Sequence, residues 1–327
     1  MKNILVTGGA GYIGSHACKV LAQSGYFPIV YDNLKYGHEW AVQWGPFYRG
    51  ELSDEDGLIR LMNQEKIEAI LHFAAYAYVA ESVAQPEIYY TNNVGGSLSL
   101  LKAAVKAQVK NIVFSSTCAT YGAPLQVPID ETHQQKPMNP YGFTKWVVEQ
   151  MLQDFEAAYQ IKSISLRYFN AAGADHDLQI GEVHDPEPHL IPLALRAALR
   201  DSEFLTVFGT DYDTPDGTCI RDYIHVTDLA TAHVLALQAL EKNSYSSAYN
   251  LGNGQGFSVL DVVRSVEKVT GLKIPLKYGN RRAGDPSRLI ASALKAKKEL
   301  GWSPCYSDLD EIIGTAFRFF KKFKTNV

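Results

Sequence analysis

Cysteine is scarce: among 327 residues only Cys18, Cys118, Cys219 and Cys305 occur, with no CxxC pair and no histidine beside them at ligand spacing. That excludes a disulfide scaffold and a cysteine-based zinc site, and it fits reduced thiols in a reducing compartment. No metal site is read. Basic charge is not in excess either: the formal net charge is −4, whereas nucleic-acid binders carry a basic patch and a high pI. A nucleic-acid partner is therefore not expected, although a local basic pocket stays compatible with that balance. No apolar run is long enough to span a bilayer, and no charged segment with a small-residue cleavage site precedes the opening MKNILVTGGAGYIG. The expectation is a cytoplasmic, unprocessed chain with no membrane partner. Internal repeats and low-complexity tracts are missing as well. What remains is 46% hydrophobic and 20% charged, ordinary for a globular protein and long enough for two joined domains.

In the first half, short apolar runs alternate with amphipathic stretches. Residues 3–7, 28–32, 69–75, 111–116 and 163–168 read as buried strands; residues 12–24, 54–66, 92–108 and 141–160 read as helices. Such alternation predicts an α/β fold, a doubly wound parallel sheet of Rossmann type with right-handed crossovers. After about residue 170 the pattern loosens. Residues 173–190 read as a loop before a helix at 190–200, then a strand at 204–208 and a polar loop at 209–219. A strand at 247–251 returns to the first sheet, Ser258 and Asp261 form a capping box over a helix at 259–270, and 292–300 is a short helix. The Lys-rich end FRFFKKFKTNV reads as a terminal helix with a solvated basic face rather than a membrane-surface helix. The division is 1–172, with a returning segment near 223–252, and a smaller α/β domain over 173–327.

Gly8, Gly11 and Gly14 form TGGAGYIG directly after the first strand and at the start of a helix. Glycines let backbone approach a pyrophosphate, and the helix start offers free N–H groups and the positive end of a dipole. Asp32 ends the second strand in VYDN, at the distance of a ribose-binding carboxylate. A carboxylate there accepts from both ribose hydroxyls and repels a 2′-phosphate, which favours NAD over NADP; otherwise Asp32 opens a turn. Asn33 shares that position. Glu51, in RGEL after a third short strand, is either the acceptor of the adenine amine or a surface loop residue.

Tyr141 and Lys145, in YGFTK, are four residues apart on a helix and so share a face. An unperturbed phenol has a pKa near 10 and is a poor base at neutral pH. A cation within a few ångströms favours the phenolate, and an oxidised nicotinamide ring adds a second positive charge. Tyr141 then removes a hydroxyl proton while hydride leaves the same carbon. Thr117 sits at the C-terminal end of NIVFSST, where open α/β sheets put their ligands, and its hydroxyl is placed to bridge Tyr141 and a substrate oxygen. The alternatives are an incidental helix-surface pair and a capping threonine.

The segments TGGAGYIGSH, HFAA, NNV, SSTCATYG, NPYGFTK and RYFNAAG occur in the order found in extended short-chain dehydrogenases/reductases, and GTDYDTPDGTCIRDYIHVTDLA resembles the signature of UDP-glucose 4-epimerases. The resemblance covers residue 3 to about residue 304. It implies a homodimer, with helices 92–108 and 141–160 pairing across the interface, and bound NAD. It makes Tyr141 the base, Lys145 its support and Thr117 the bridging hydroxyl. It also extends the cofactor contacts to Tyr12, Ile13, Leu52, Phe73, Ala74, Ala75, Asn92, Ser115 and Tyr168. A UDP-hexose would meet Asn170 and His189 at the diphosphate or sugar, Arg221 and Arg282 at the diphosphate, and Asp285 at the uridine ribose. Leu190, Val207 and Phe208 would line the uracil pocket. Paired Arg side chains suit a diphosphate because each fork binds two oxygens.

Departures from the family pattern are Ala77 where some members have Lys, His189 where several have Asn, and Leu289 where a Tyr closes the sugar pocket in others. The smaller Leu289 suggests room for a 2-acetamido group. The implied reaction is inversion of C4 of UDP-glucose and UDP-galactose through a 4-keto sugar. A dehydratase or decarboxylase needs a further acid or base after the Thr117 hydroxyl, and Cys118 and Ala119 stand there instead. A non-catalytic NAD-binding regulator is the rival of another class, and the joint presence of Tyr141, Lys145 and Thr117 speaks against it.

Overall fold

The computed structural model of the chain describes residues 1–243, 245–282 and 285–325. Ala283 and Gly284 of the RRAGD segment and the last two residues of the Lys-rich end lie outside the described residues, as does Ser244. The apolar runs form strands β1 (Lys2–Thr7), β2 (Tyr26–Asp32), β3 (Phe47–Arg49), β4 (Ala69–His72), β5 (Asn111–Thr117) and β6 (Lys162–Tyr168). Between them lie helices α1 (Tyr12–Gln23), α2 (Glu55–Gln64), α3 (Val79–Ala84), α4 (Pro86–Tyr89), α5 (Gly96–Lys106) and α6 (Pro140–Tyr159). There follow β7 (Asn170–Ala172), α7 (Leu190–Ala198), β8 (Leu205–Phe208), β9 (Ile220–Arg221), β10 (Tyr223–His225), α8 (Val226–Asn243) and β11 (Ser247–Leu251). The chain ends with β12 (Phe257–Ser258), α9 (Val259–Thr270), β13 (Leu276–Gly279), β14 (Arg288–Leu289), α10 (Leu294–Glu299) and α11 (Leu309–Thr325).

Seven strands pair in parallel in the order β11-β6-β5-β4-β1-β2-β3. Side chains alternate across a strand, and here both faces are covered. Ile4, Val6, Leu71 and Val113 face α1 and α8, while Leu5, Ile70, Ile112 and Phe114 face α2, α5 and α6. The order reverses at β1, so a crevice opens past the C-terminal ends of β1 and β4, where such sheets hold ligands. A third cluster is built from Ile191 and Leu195 of α7, Val262 and Val266 of α9, and Ile312 and Ile313 of α11. The terminal helix thus turns its apolar face onto protein, the solvated-basic-face reading. Among the described residues no helix is long and apolar enough to cross a membrane.

The expected doubly wound parallel sheet is present, with β11 returning to its edge beside β6. Ser258 and Asp261 form their reciprocal capping box. Short elements such as α3, α4 and β13 were not anticipated, and two larger differences concern helices. Helix α8 was not read from VTDLATAHVLALQALEKN, because Leu229, Ala232, Ala236, Leu237 and Leu240 are all buried against the sheet and α1, and near-uniform apolarity conceals the helical period. Helix α5 starts at Gly96 rather than residue 92; Tyr90–Gly95 make a wider π-helical turn, a device common at functional sites.

A buried ion pair ties α6 to the sheet. Arg167 of β6 donates from Nε to Glu149 Oε1 at 3.0 Å and from Nη1 to the Tyr121 hydroxyl at 3.0 Å, and the Tyr121 hydroxyl donates to Asn250 Oδ1 at 2.7 Å. The two charged side chains are 8% and 3% exposed, so removing one charge strands the other in a dry site. Glu149→Gln should cost about 3–5 kcal/mol of stability, read as a lower urea midpoint at unchanged slope. The double substitution Glu149→Leu with Arg167→Leu should cost less than the single one.

Candidate active site

β1 delivers the chain into the glycine loop. Gly8 has φ +74°, and a Cβ there would lie 2.5 Å from the backbone nitrogen of Ala74; a Cβ on Gly14 would lie 2.2 Å from the carbonyl oxygen of Gly8. Both positions require glycine, and the result is a bare backbone surface at the start of α1. Gly11 caps that helix with no side-chain hydrogen bond, and its first turn holds no acidic residue, so its N–H groups and dipole face the crevice. Tyr12 and Ile13 open the helix, and the Tyr12 hydroxyl donates to Gly173 O at 2.6 Å.

Asp32, at the end of β2, accepts from Ala10 N at 3.1 Å and from Leu34 N at 2.8 Å. Burial raises its pKa and the backbone N–H groups counter that. Asn33 donates to Glu51 Oε2 at 3.0 Å, so these two residues share one rim. Leu52 turns inward and joins the hydrophobic core. Past the end of β4, residues 73–75 form the loop beneath the crevice. Phe73 packs on His233 of α8 at 4.5 Å between ring centroids, and burial lowers that imidazole to a pKa of about 4. Ala77 is exposed.

Asn93, in the π-helical turn, holds this loop: it accepts from Tyr76 N at 2.8 Å and donates to Tyr76 O at 3.0 Å and Thr144 Oγ1 at 3.1 Å. Its neighbour Asn92 donates to it at 3.0 Å. The NNV motif was visible in the sequence, yet only Asn92 was singled out; Asn93 is the one that organises backbone.

β5 ends at Thr117, whose Oγ1 accepts from Ala119 N at 3.2 Å. Asn139 caps α6 by accepting from Gly142 N at 2.8 Å, which aims the first turn of α6 at the end of β5. The Tyr141 phenol lies near enough to the Thr117 side chain to be influenced by it. Burial foremost raises the pKa of that phenol, Tyr168 adds to the rise, and the Thr117 contact lowers it. Lys145 is 3% exposed, donates to Ser115 O at 2.7 Å and lies 4.9 Å over the Phe114 ring. Burial brings its pKa down to about 7, against the pull of Glu149. The ammonium thus spends its hydrogen bond on strand β5, whereas spacing alone suggested the phenol. Ser115 Oγ and the Tyr168 hydroxyl are hydrogen-bonded to each other behind it.

The facing wall comes from the second half of the chain. Asn170 of β7 sends both its backbone N–H (3.0 Å) and Nδ2 (2.9 Å) to Asp222 O. Arg221 of β9 pairs with Asp285 and donates from Nη1 to Ile220 O at 2.7 Å. Leu289 of β14 lies beside Arg221 in parallel register and packs on a small cluster that includes Tyr121, Ile129 and Phe169. The Arg282 guanidinium stacks 4.2 Å over the Phe208 ring, while Val207 points into the core. His189 is the N-cap residue of α7, directly before Leu190, with Nδ1 2.5 Å from Glu182 Oε1. Asp222 was not singled out in the sequence. It accepts from Asn253 N at 2.8 Å, Gly254 N at 3.0 Å and Ala291 N at 3.1 Å, while burial pushes its carboxyl up to about 6. Its three partners are far away in sequence, so no local signal marks it.

The model of the NAD dependent epimerase/dehydratase family matches residues 4–252. The UDP-glucose 4-epimerase of Rhizobium meliloti (strain 1021) is 52% identical over 321 residues, 98% of each chain. The crystal structure of the UDP-glucose 4-epimerase from Brucella ovis in complex with NAD superposes with a TM-score of 0.96 at 52% identity, covering 98% of both chains. That of the Bifidobacterium longum UDP-glucose 4-epimerase in complex with NAD+ and UDP superposes with a TM-score of 0.93 at 37% identity, covering 100% of both.

The lowered pKa of Lys145 sets a pH dependence. A lysine that titrates near 7 when folded and 10.5 when unfolded binds fewer protons in the native state across that window. Its burial therefore costs most below pH 7, and the cost fades as pH rises towards 10.5. Lys145→Met should stabilise the ligand-free protein at pH 7 by an amount on the order of a few kcal/mol. That advantage should shrink steadily between pH 7 and pH 10 in urea titrations. A pH-independent difference would assign the effect to packing instead.

Proposed function

The chain belongs to the NAD-dependent epimerase/dehydratase family, and from that premise we propose its reaction, the inversion of C4 of UDP-hexoses through a transient 4-keto sugar with tightly held NAD. The observation that carries this reading is the buried phenol of Tyr141, in the first turn of α6, set beside Thr117 at the C-terminal end of β5, on the same side of the sheet as the glycine loop. The residues present fit the cofactor. Glycines at positions 8 and 14 leave backbone bare where any Cβ would collide, and Asp32 offers a carboxylate at the tip of β2.

When bound, NAD supplies the acceptor and donor of the C4 hydride and a cationic ring beside the phenol. Gly8, Gly11, Tyr12, Ile13 and Gly14 cradle the pyrophosphate, Asp32 and Asn33 take the adenosine ribose, and Glu51 and Leu52 lie towards the adenine. Phe73, Ala74, Ala75, Asn92, Ser115 and Tyr168 would surround the rest, with Lys145 beside them supporting Tyr141. Tyr141 removes the C4 hydroxyl proton, with Thr117 bridging the two oxygens. The 4-keto sugar would turn about its diphosphate so that the hydride re-enters C4 on the opposite face, and Tyr141 would return the proton to the C4 oxygen. Asn170, His189, Arg221 and Arg282 anchor the diphosphate, Asp285 the uridine ribose, and Leu190, Val207 and Phe208 the uracil pocket. The arrangement holds the nucleotide firmly and the hexose loosely, as a reaction that presents both faces requires.

Residues 1–172 with 223–252 serve the cofactor and the remainder of 173–327 the UDP-sugar. The separate core of α7, α9 and α11 supports that division. Two chains pair through α5 and α6, a reading supported by the exposed apolar side chains Leu98 and Phe143 on those helices. The cytoplasm suits the four free cysteines. Leu289 leaves space for a 2-acetamido group, so UDP-N-acetylhexosamines are substrates as well.

Purified protein given UDP-galactose should form UDP-glucose with no added reductant. Elimination products or net NADH would point to a dehydratase or a dehydrogenase. Tyr141→Phe should keep NAD while lowering kcat about 10²–10⁴-fold; near-normal turnover would take Tyr141 out of the reaction. UDP-GlcNAc should be epimerised too, and Leu289→Tyr should lower that rate more than the rate with UDP-galactose. Equal losses on both sugars would separate Leu289 from sugar choice.

A further inference from the structure

Between β7 and α7 the chain carries GEVHDPEPH, a stretch that the proposed reaction uses only through His189. Two of its three acids and both histidines converge: one ligand atom from each of Glu182, His184, Glu187 and His189 lies within 4.8 Å of the other three. We propose that these four side chains form a closed binding site for one divalent transition-metal ion, Zn2+ by the character of its donors.

The spacing carries the argument. A four-coordinate ion with bonds of about 2.0–2.1 Å holds its donors roughly 3.4 Å apart. His184 Nδ1 is 3.3 Å from Glu182 Oε1 and 3.6 Å from Glu187 Oε1, and His189 Nδ1 is 3.4 Å from Glu187 Oε1. Only the His189–Glu182 edge, at 2.5 Å, has closed into a hydrogen bond. The second observation is independent of that spacing. His184 Nδ1 is buried and has no hydrogen-bond partner, although two carboxylates face it. The imidazole is fixed by the edges of the Tyr12 and Tyr78 rings, whose centroids are 6.3 and 5.9 Å away. The Glu182 and Glu187 side chains are only 7% and 3% exposed. Two carboxylates buried side by side need a cation between them. A ring nitrogen 3.3 and 3.6 Å from the two carboxylates and hydrogen-bonded to neither is placed as a metal ligand would be.

The donor set selects the ion. Two imidazoles and two carboxylates with no thiolate suit Zn2+ or a neighbouring first-row metal, whereas Mg2+ and Ca2+ take shells of oxygen. All four positions come from protein, so the role is structural: the ion clips the loop before α7 against Tyr12, the first residue of α1. His189 binds through Nδ1, which leaves its Nε2–H free for the diphosphate contact proposed above.

The test uses the full chain without a histidine tag, stripped with chelator and titrated with ZnCl2. One equivalent should bind per chain and raise the melting midpoint. Co2+ in its place should give the intense visible bands of a four-coordinate site. His184→Asn and Glu187→Gln should each weaken Zn2+ binding about tenfold or more. Substoichiometric zinc, absent cobalt bands, or an affinity unchanged in both variants would overturn the site and leave an ion pair of imidazolium and carboxylate. If the variants do not fold, zinc-edge anomalous scattering from crystals of the unaltered protein decides by the presence or absence of a peak among the four side chains. Binding is read directly, so the outcome stands apart from that of the epimerase assay.

Discussion

Burial acts in opposite senses on the two ionisable groups at the heart of the crevice. It raises the Tyr141 phenol and lowers the Lys145 ammonium. Each charge alone is disfavoured in so dry a place. A phenolate and an ammonium present together relieve one another, because at short range and low effective dielectric their attraction offsets the desolvation of both. In the proposed reaction the proton leaves the sugar hydroxyl through Tyr141, with Lys145 one helical turn further along α6.

That pair is held by supports which are themselves buried and polar. Lys145 rests on the carbonyl of Ser115, Ser115 engages Tyr168, and one turn further along α6 Glu149 both draws on Lys145 and clamps Arg167. Helix α6 is thereby fixed in rotation as well as position, and the placement of Tyr141 against Thr117 follows from that. Across the crevice Asp222 has the same office. Three backbone N–H groups, from the segments after β11 and β14, converge on its carboxylate, and its own carbonyl receives both donors of Asn170. A single residue, through its carboxylate and its carbonyl, therefore joins β7 with the segments after β11 and β14 into one wall.

How much of this the sequence disclosed depends on range. The parallel sheet was legible because strand and helix periods are local properties, and so were the glycine loop, the Ser258–Asp261 box and the strand that returns to the sheet edge. Tyr141, Lys145 and Thr117 were legible because four residues on a helix and the last residue of a strand fix direction without knowledge of the fold. Helix α8 was not, since a segment buried nearly all round has no polar face to set its period. Asn93 and Asp222 were not, since what distinguishes them is the backbone groups they reach, 17 residues away for Asn93 with Tyr76 and 69 for Asp222 with Ala291. The Glu182–His189 cluster escaped for a third reason: a search for metal ligands guided by cysteine passes over a set made of imidazoles and carboxylates.

The contrast between the two walls bears on turnover. On the cofactor side nearly every contact is backbone or deeply buried, and the collisions that any Cβ on Gly8 or Gly14 would meet leave no room for adjustment. On the other side Arg282 rests exposed on Phe208, held by stacking, while Arg221 is anchored by Asp285 and its own strand. A bound UDP would then be gripped by one fixed and one adaptable guanidinium, and the hexose beyond it would meet Leu289 and the small cluster behind it rather than a fork of hydrogen bonds. Apolar contact is non-directional, so it tolerates both faces of a keto sugar about equally, whereas a hydrogen-bonding pocket would favour one. Rigidity around the nicotinamide nucleotide and indifference around the sugar are, on this view, two halves of one requirement: the transferred hydrogen must keep its place while the carbon that gave it up turns over.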